Sequence, residues 1–307
     1  MGREQRFDVN GRTVFITGAA RGIGAASAER LHARGANVAL VGLEPELLEE
    51  NAARLGDRAA SFETDVTDLD ALERAVRATV ERFGAIDVAI ANAGIAFTGA
   101  ALASAPVEQV ERTLAVNLLG VWRTDRAVIG QIMQRRGYLL NIASLAAVVH
   151  GPLMGPYTSA KSGVEALSDA LRVEAAVSGA RVGCAYFGFI DTDLVRASFA
   201  VPSSQGMTGQ MPAFMREPAP LSVAIDAIER GIERRSPRVW APRWVGATLL
   251  LRGLLQPLIE RRTLKDTSLL SESMRIAEAS GEARAQDPLL GVAGNALERE
   301  RVVTPRG

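Results

Sequence analysis

Val14-Phe15-Ile16-Thr17-Gly18-Ala19-Ala20-Arg21-Gly22-Ile23-Gly24 passes from an apolar run into a glycine-punctuated turn. Val14 to Thr17 has the β-branched and aromatic character of a strand. From Gly24 a helical pattern runs to Arg34 and is stopped by Gly35. Glycines between a strand and a helix let the backbone approach a pyrophosphate closely. The helix N-terminus adds N–H groups and the positive end of its dipole. The spacing is Gly18-x-x-x-Gly22-x-Gly24 rather than the commoner Gly-x-Gly-x-x-Gly. A purely structural turn is the alternative. Its place directly after the first strand argues for a nucleotide cradle made by Gly18, Arg21, Gly22, Ile23 and Gly24.

Outward from this unit, short apolar runs alternate with helical patterns. Strands are expected at 38–41, 87–91, 138–142 and 181–187, with a last edge strand at 238–241. Helices are expected at 45–55, 68–83, one long helix from Pro106 to about Arg136, a helix carrying Tyr157, and one capped by Ser222 that runs to about Arg235. The strands are near-continuous apolar runs, as buried parallel strands should be. The expected fold is therefore α/β, a Rossmann-type doubly wound parallel sheet flanked by helices. Residues 1–244 would form one dinucleotide-binding and catalytic domain, and 245–307 a C-terminal helical extension packed on the core or on a partner subunit. Within 195–221 the methionines and prolines suggest a mobile substrate loop.

The bulk composition narrows the field. The 307 residues are 48% apolar and carry 35 basic and 35 acidic side chains, so the net charge is zero. That balance gives no electrostatic footprint for nucleic acid. The single cysteine, Cys184, excludes an internal disulfide and sits in an apolar run, where an inert buried thiol in a reducing compartment is expected. Met1 to Asn10 lacks an apolar h-region, so a cytoplasmic protein without a signal peptide is expected. The apolar stretch Trp244 to Ile259 is interrupted by Arg252 and Pro257. It is too short for a spanning segment and reads as a surface helix, with peripheral membrane contact as the second reading because Arg261, Arg262 and Lys265 follow.

Other positions add chemistry. Asn92-Ala93-Gly94 closes the 87–91 strand, at the end where open α/β sheets bind ligands. Asp65-Val66 follows another apolar segment. Its carboxylate is suited to an adenine amino group, or else caps a helix as Thr67 or Asp68 equally can. At the end of the second strand, Gly42-Leu43-Glu44 puts a carboxylate near the ribose hydroxyls. This favours NAD over NADP, although Arg21 is placed to meet a 2′-phosphate. Tyr157 and Lys161 are four residues apart and share a helix face. An ammonium beside a phenol favours the phenolate and is expected to lower the tyrosine pKa. Ser144 lies thirteen residues upstream of Tyr157. Asn117 stands inside the long helix, where asparagine is a poor helix former.

Taken together and in order, Thr17-Gly18-x-x-x-Gly22-x-Gly24, Asp65, Asn92-Ala93-Gly94, Asn117, Ser144 and Tyr157-x-x-x-Lys161 resemble the short-chain dehydrogenase/reductase family over roughly residues 10–235. The resemblance implies NAD(P)-dependent alcohol/carbonyl chemistry in a homodimer or homotetramer. It implies Tyr157 as general acid/base and Lys161 as its activator and ribose ligand. Ser144 would orient the substrate oxygen, and Asn117 would hold a water that links Lys161 to solvent. Where the family commonly has Pro-Gly, this chain has Phe187-Gly188. Ile190 and Thr192 still match the positions that hold the nicotinamide carboxamide.

The stretch Leu145 to Met154 is nearly all apolar. With Phe189 and the Phe199–Met215 region it suggests a lipophilic pocket for an alcohol or ketone, in which Ala146, His150, Met154 and Phe189 are candidate lining residues. Ordinary loop packing is the alternative. His150 reads as a rim residue, His32 as a surface residue, and no Cys/His cluster suggests a metal. Two other classes stand beside the enzyme: a non-catalytic NAD(P)-binding regulator on the same fold, and an interaction subunit acting through the C-terminal extension.

Overall fold

The computed structural model describes residues 6–97, 99–200, 203 and 213–280. Seven strands form one sheet: β1 (Thr13–Thr17), β2 (Asn37–Gly42), β3 (Ala59–Glu63), β4 (Val88–Ala91), β5 (Tyr138–Ile142), β6 (Arg181–Phe187) and β7 (Arg238–Ala241). Their order is β3-β2-β1-β4-β5-β6-β7, and every pair is parallel. The strand order reverses between β1 and β4, so a crevice opens there at the carboxyl ends.

Side chains alternate between two cores along each strand, because strand periodicity is two. Val14, Ile16, Val38, Leu40, Val88 and Ile90 face one layer, made by α1 (Gly22–Ala33), α2 (Pro45–Leu55) and α9 (Leu221–Arg234). Phe15, Ala39, Val41, Ala89 and Leu139 face the opposite layer, where α3 (Leu69–Phe83), α5 (Gly120–Arg135) and α6 (Gly155–Ala175) pack. Both faces are covered, which explains why the strand sequences read as unbroken apolar runs.

The expected long helix is three pieces: α4 (Val107–Leu114), a π-helical turn over Ala115–Leu119, and α5. Asn117 sits in that turn, and local widening of a helix at a polar buried residue is typical of functional sites. Residues 195–200, expected to be loop, are the end of a helix, α7 (Asp193–Ala200), and Ala213–Arg216 forms a short α8. The rest of the expected mobile loop lies mainly outside the described residues. Ser222 does not cap the next helix. That helix begins at Leu221 behind Pro220, because Ala219 is held in an extended bridge to Ile190 and the chain enters the helix directly from it.

In the C-terminal extension, α10 (Arg243–Lys265) and α11 (Ser268–Ser280) follow β7. The apolar periodicity fades beyond Ser271, yet the helix continues. Its buried positions are Ser273 and Ala277, small residues that give no hydrophobic signal, and Asp266 accepts hydrogen bonds from Ser268 at its start. The remainder of the extension, 281–307, lies outside the described residues. Among the described residues no helix is long and apolar enough to cross a membrane. No group of His, Cys, Asp or Glu among them is arranged to hold a metal.

Candidate active site

The crevice at the strand reversal is built first by backbone. α1 starts at Gly22, two residues earlier than its apolar pattern suggests. Gly18 and Gly22 have φ of +64° and +56°, values that side chains disfavour. A Cβ at Gly18 would lie 2.8 Å from Ala93 Cα, and one at Gly24 only 2.2 Å from the Gly18 carbonyl oxygen. A Cβ at Gly22 would meet only Thr192 Cγ2, at 3.8 Å. Gly18 and Gly24 are thus required by packing, while Gly22 leaves a backbone surface open beside Thr192. Ile23 and Arg21 follow from the same turn.

The ends of β1 and β4 are tied together. Thr17 Oγ1 accepts from the N–H groups of Asn92 and Ala93 at 3.0 and 3.2 Å, and Asn92 Nδ2 donates to the carbonyls of Thr17 and Gly18. Thr17 is the residue here whose role sequence reading passed over; its signal was its place between strand and first glycine. Asn117 is fully buried and pairs with the backbone of Ile95 in both directions. Its Oδ1 accepts from Ile95 N–H at 2.8 Å and its Nδ2 donates to Ile95 C=O at 2.9 Å. The side chain of Asn117 is thus a tether that fixes the Gly94–Ile95 segment, and these two bonds use only one of its two Nδ2 hydrogens. A Cβ at Gly94 would lie 2.9 Å from Asn117 Oδ1 and 3.7 Å from Lys161 Nζ, so the three positions meet.

Tyr157 and Lys161 lie on α6, one turn apart as expected. Lys161 is buried and its Nζ donates to the Ile142 carbonyl at 2.9 Å, while sitting 5.8 Å from the Tyr157 ring centroid. Ser144 begins a short 3₁₀ turn after β5; its Oγ accepts from Ala146 N–H at 3.1 Å and donates to the Phe187 carbonyl at 3.4 Å. Burial pushes the Tyr157 hydroxyl upward, and a hydrogen bond with Ser144 opposes that rise. Lys161 does not outweigh that burial: its ammonium is hydrogen-bonded to the Ile142 carbonyl rather than to the phenol, so the net shift is upward and not the expected lowering. Burial also depresses Lys161, to about 8, with Cys184 opposing.

Arg21 and Glu44 are the two candidate determinants at the adenosine ribose. They form an ion pair with each other at the end of β2. Asp65 Oδ1 accepts from Thr67 N–H at 2.7 Å, and it is Asp68 that caps α3 through Ala71 N–H. The capping alternative for Asp65 is thereby removed. Val66 is buried beside it, against Gly120. Ile190 is buried, and its carbonyl accepts from Thr192 Oγ1 at 3.3 Å. Gly188, after Phe187, seats the indole of Trp244, since a Cβ there would come within 3.0 Å of the ring.

The lining candidates separate. Met154 and Ala146 flank the Ser144–Tyr157 connection, and Phe189 packs edge-on against Phe199 at 4.9 Å. His150 is held instead by the C-terminal extension: its N–H donates to Gln256 Oε1 at 2.9 Å, and its ring lies 3.3 Å from Ser162 Oγ. Gln256 had no sequence signal, because its contact depends on how α10 crosses the core. His32 is half-buried rather than a surface residue, and burial depresses its pKa.

The model for the short chain dehydrogenase family matches residues 12–202. The 2-(R)-hydroxypropyl-CoM dehydrogenase of Xanthobacter autotrophicus is 38% identical over 192 residues, covering 60% of this chain and 77% of that protein. The 3-oxoacyl-[acyl-carrier-protein] reductase of Vibrio cholerae is 30% identical over 191 residues, 62% of this chain and 78% of that one. Among solved structures, a levodione reductase superposes with a TM-score of 0.67 at 26% identity, over 76% of this chain and 96% of its own. The chain belongs to the short-chain dehydrogenase family of oxidoreductases.

Proposed function

We propose that this protein interconverts a lipophilic secondary alcohol and its ketone, using NAD(P) and Tyr157 as general acid/base. The observation that carries the reading is the triad itself: Ser144 close enough to the Tyr157 hydroxyl to oppose the rise of its pKa, with the buried Lys161 5.8 Å from the Tyr157 ring centroid. The open backbone at Gly22, the neighbouring Thr192 and the exposed Gly94, where Asn117 and Lys161 leave no room for a side chain, fit a dinucleotide lying across the crevice. Gly18, Arg21, Gly22, Ile23 and Gly24 would hold its phosphates and Glu44 or Arg21 its adenosine ribose. Asp65 and Val66 would hold the adenine, Asn92, Ala93 and Gly94 the central portion, and Ile190 and Thr192 the carboxamide. When bound, NAD(P) accepts or supplies the hydride.

The chain's own residues handle the proton and the geometry. In reduction, Tyr157 donates its hydroxyl proton to the substrate oxygen as charge develops there; in oxidation it takes that proton back. Ser144 donates a hydrogen bond to the same oxygen and fixes its direction. Lys161, cationic below about pH 8, stabilises the phenolate. Asn117 holds the Gly94–Ile95 backbone beside Lys161 and has an amide hydrogen left for a water in a proton path. Ala146, Met154 and Phe189 form the apolar side of the pocket, with His150 at its rim. Glu44 at the end of β2 favours NAD(H), in a homo-oligomer of the cytoplasm, a setting that suits the buried free thiol Cys184.

A panel of hydrophobic alcohols and ketones, assayed by cofactor absorbance with NAD(H) and with NADP(H), tests the reading. Turnover of apolar secondary alcohols is the expected result. Cofactor binding with no turnover of any member would favour the regulatory protein on the same fold, and turnover confined to sugars would refute the lipophilic pocket.

A further inference from the structure

We infer that the outer face of α10 docks on the anionic surface of a lipid bilayer. The helix has one fixed orientation. On its inner side Val245 is fully buried, Arg252 Nη1 donates to both carboxylate oxygens of Glu165 at 2.6 and 2.9 Å, and Gln256 holds the His150 backbone. These bonds to α6 and to the loop before it leave the helix no freedom to rotate its other face inward.

That other face is apolar and, among the described residues, uncovered. Leu250, Leu254 and Leu258 follow at four-residue spacing with 87%, 67% and 60% of their surface exposed, and Leu251 beside them is 49% exposed. At about 100° per residue these leucines share an arc of about 100°. The same arc carries only cations at its ends. Arg243 lies a heptad before Leu250, while Arg261, Arg262 and Lys265 continue the Leu254–Leu258 line. Among the described residues none of these four cations has an ion-pair partner. The helix's one acid, Glu260, is turned the other way and accepts from Gln256 Nε2 at 2.8 Å.

Leucines framed by unpaired cations match a bilayer surface, where the apolar stripe enters the acyl boundary and the cations meet lipid phosphates. A second copy of the chain matches less well. Pairing two such faces sets cation against cation at either end, in parallel or antiparallel, with no carboxylate on the arc to answer them. The 23-residue helix, about 35 Å long, would lie in the plane of the surface rather than cross it. Because α10 holds His150 from its inner side, the loop after Ser144 would lie across the helix, about 10 Å from the bilayer surface.

The test is co-sedimentation of the full chain with vesicles of equal parts phosphatidylcholine and phosphatidylglycerol, and with phosphatidylcholine alone, at low and high salt. Size-exclusion chromatography with light scattering runs in parallel. Binding to the anionic vesicles, weakened by salt, is expected. Each basic residue at an anionic surface strengthens attachment by about fivefold, so R261Q/R262Q should weaken it by about 25-fold. L254E/L258E should abolish it, with circular dichroism and melting confirming that both variants fold. Three results would overturn the proposal: wild-type protein left in the supernatant with anionic vesicles, equal binding by R261Q/R262Q, or a leucine-dependent dimer that ignores vesicles.

Discussion

Replacing Asp125 with Asn probes the polar knot that joins α5, β5 and α6. Asp125, Asn141 and Ser168 are all buried. Asn141 Nδ2 donates to Asp125 Oδ2 at 2.8 Å and lies 3.1 Å from Ser168 Oγ, while Asp125 Oδ1 and Asn141 Oδ1 have no hydrogen-bond partner. Burial pushes the Asp125 carboxyl up to about 8, and the Asn141 hydrogen bond only partly opposes it. A carboxyl with one donor in such a site is tolerated as the neutral acid. In the unfolded chain the same group ionises near pH ~4. The folded protein therefore holds one more proton than the unfolded chain between these values, and its stability must fall as pH rises through that window. The slope is about 1.4 kcal/mol per pH unit, or about 4 kcal/mol between roughly pH 5 and pH 8. Above the folded pKa both states are ionised and the loss stops. Asp125→Asn keeps the shape and the acceptor for Asn141 but cannot ionise. Urea unfolding of both proteins across this range, followed by tryptophan fluorescence, isolates the contribution by difference. The wild type should lose ground steadily to the variant as pH rises. Parallel curves would mean that Asp125 is ionised in the fold and would refute the reasoning.

Three further outcomes follow from the site. The pH profile of kcat/KM should show an inflection near the Lys161 pKa of about 8, with the cation-dependent rate present below it and lost above it, and Lys161→Met should leave a slow residual rate without that inflection. Glu44→Gln should release Arg21 and shift the ratio of NADP(H) to NAD(H) affinities upward by about tenfold, the scale of one charge-assisted hydrogen bond. Arg21→Gln should shift it the other way, and titration with each cofactor measures both. Asn117→Ala should lower the unfolding free energy by about 1–3 kcal/mol, because it removes both hydrogen bonds to the half-buried Ile95 backbone; an unchanged denaturation midpoint would contradict the tether.

Six of the seven strands, the crevice and the order of the chemical residues were legible because they depend on local pattern; β3, a half-buried edge strand that includes Ser61 and Glu63, was not read as a strand. Val14–Thr17 reads as strand and Gly18–Gly24 as turn whatever surrounds them. Tyr157 and Lys161 share a face by helical period alone. What escaped depends on distant segments. The π turn around Asn117 exists because its amide reaches Ile95, twenty-two residues away. The Arg21–Glu44 pair joins the ends of β1 and β2, and each residue alone pointed to a different cofactor. The rise of the Tyr157 pKa comes from burial by packed neighbours, which a Tyr-x-x-x-Lys spacing cannot report. In α11 the buried face is made of Ser273 and Ala277, so packing left no hydrophobic trace to read.

The central claim, that Tyr157 carries the proton of a hydride-transfer site, is tested most directly by Tyr157→Phe on a substrate found in the alcohol and ketone panel. The account predicts a fall in single-turnover rate of about 10²–10⁴-fold, the usual weight of a general acid/base, with cofactor affinity changed less than about twofold. A variant that turns over within a few-fold of wild type would contradict it.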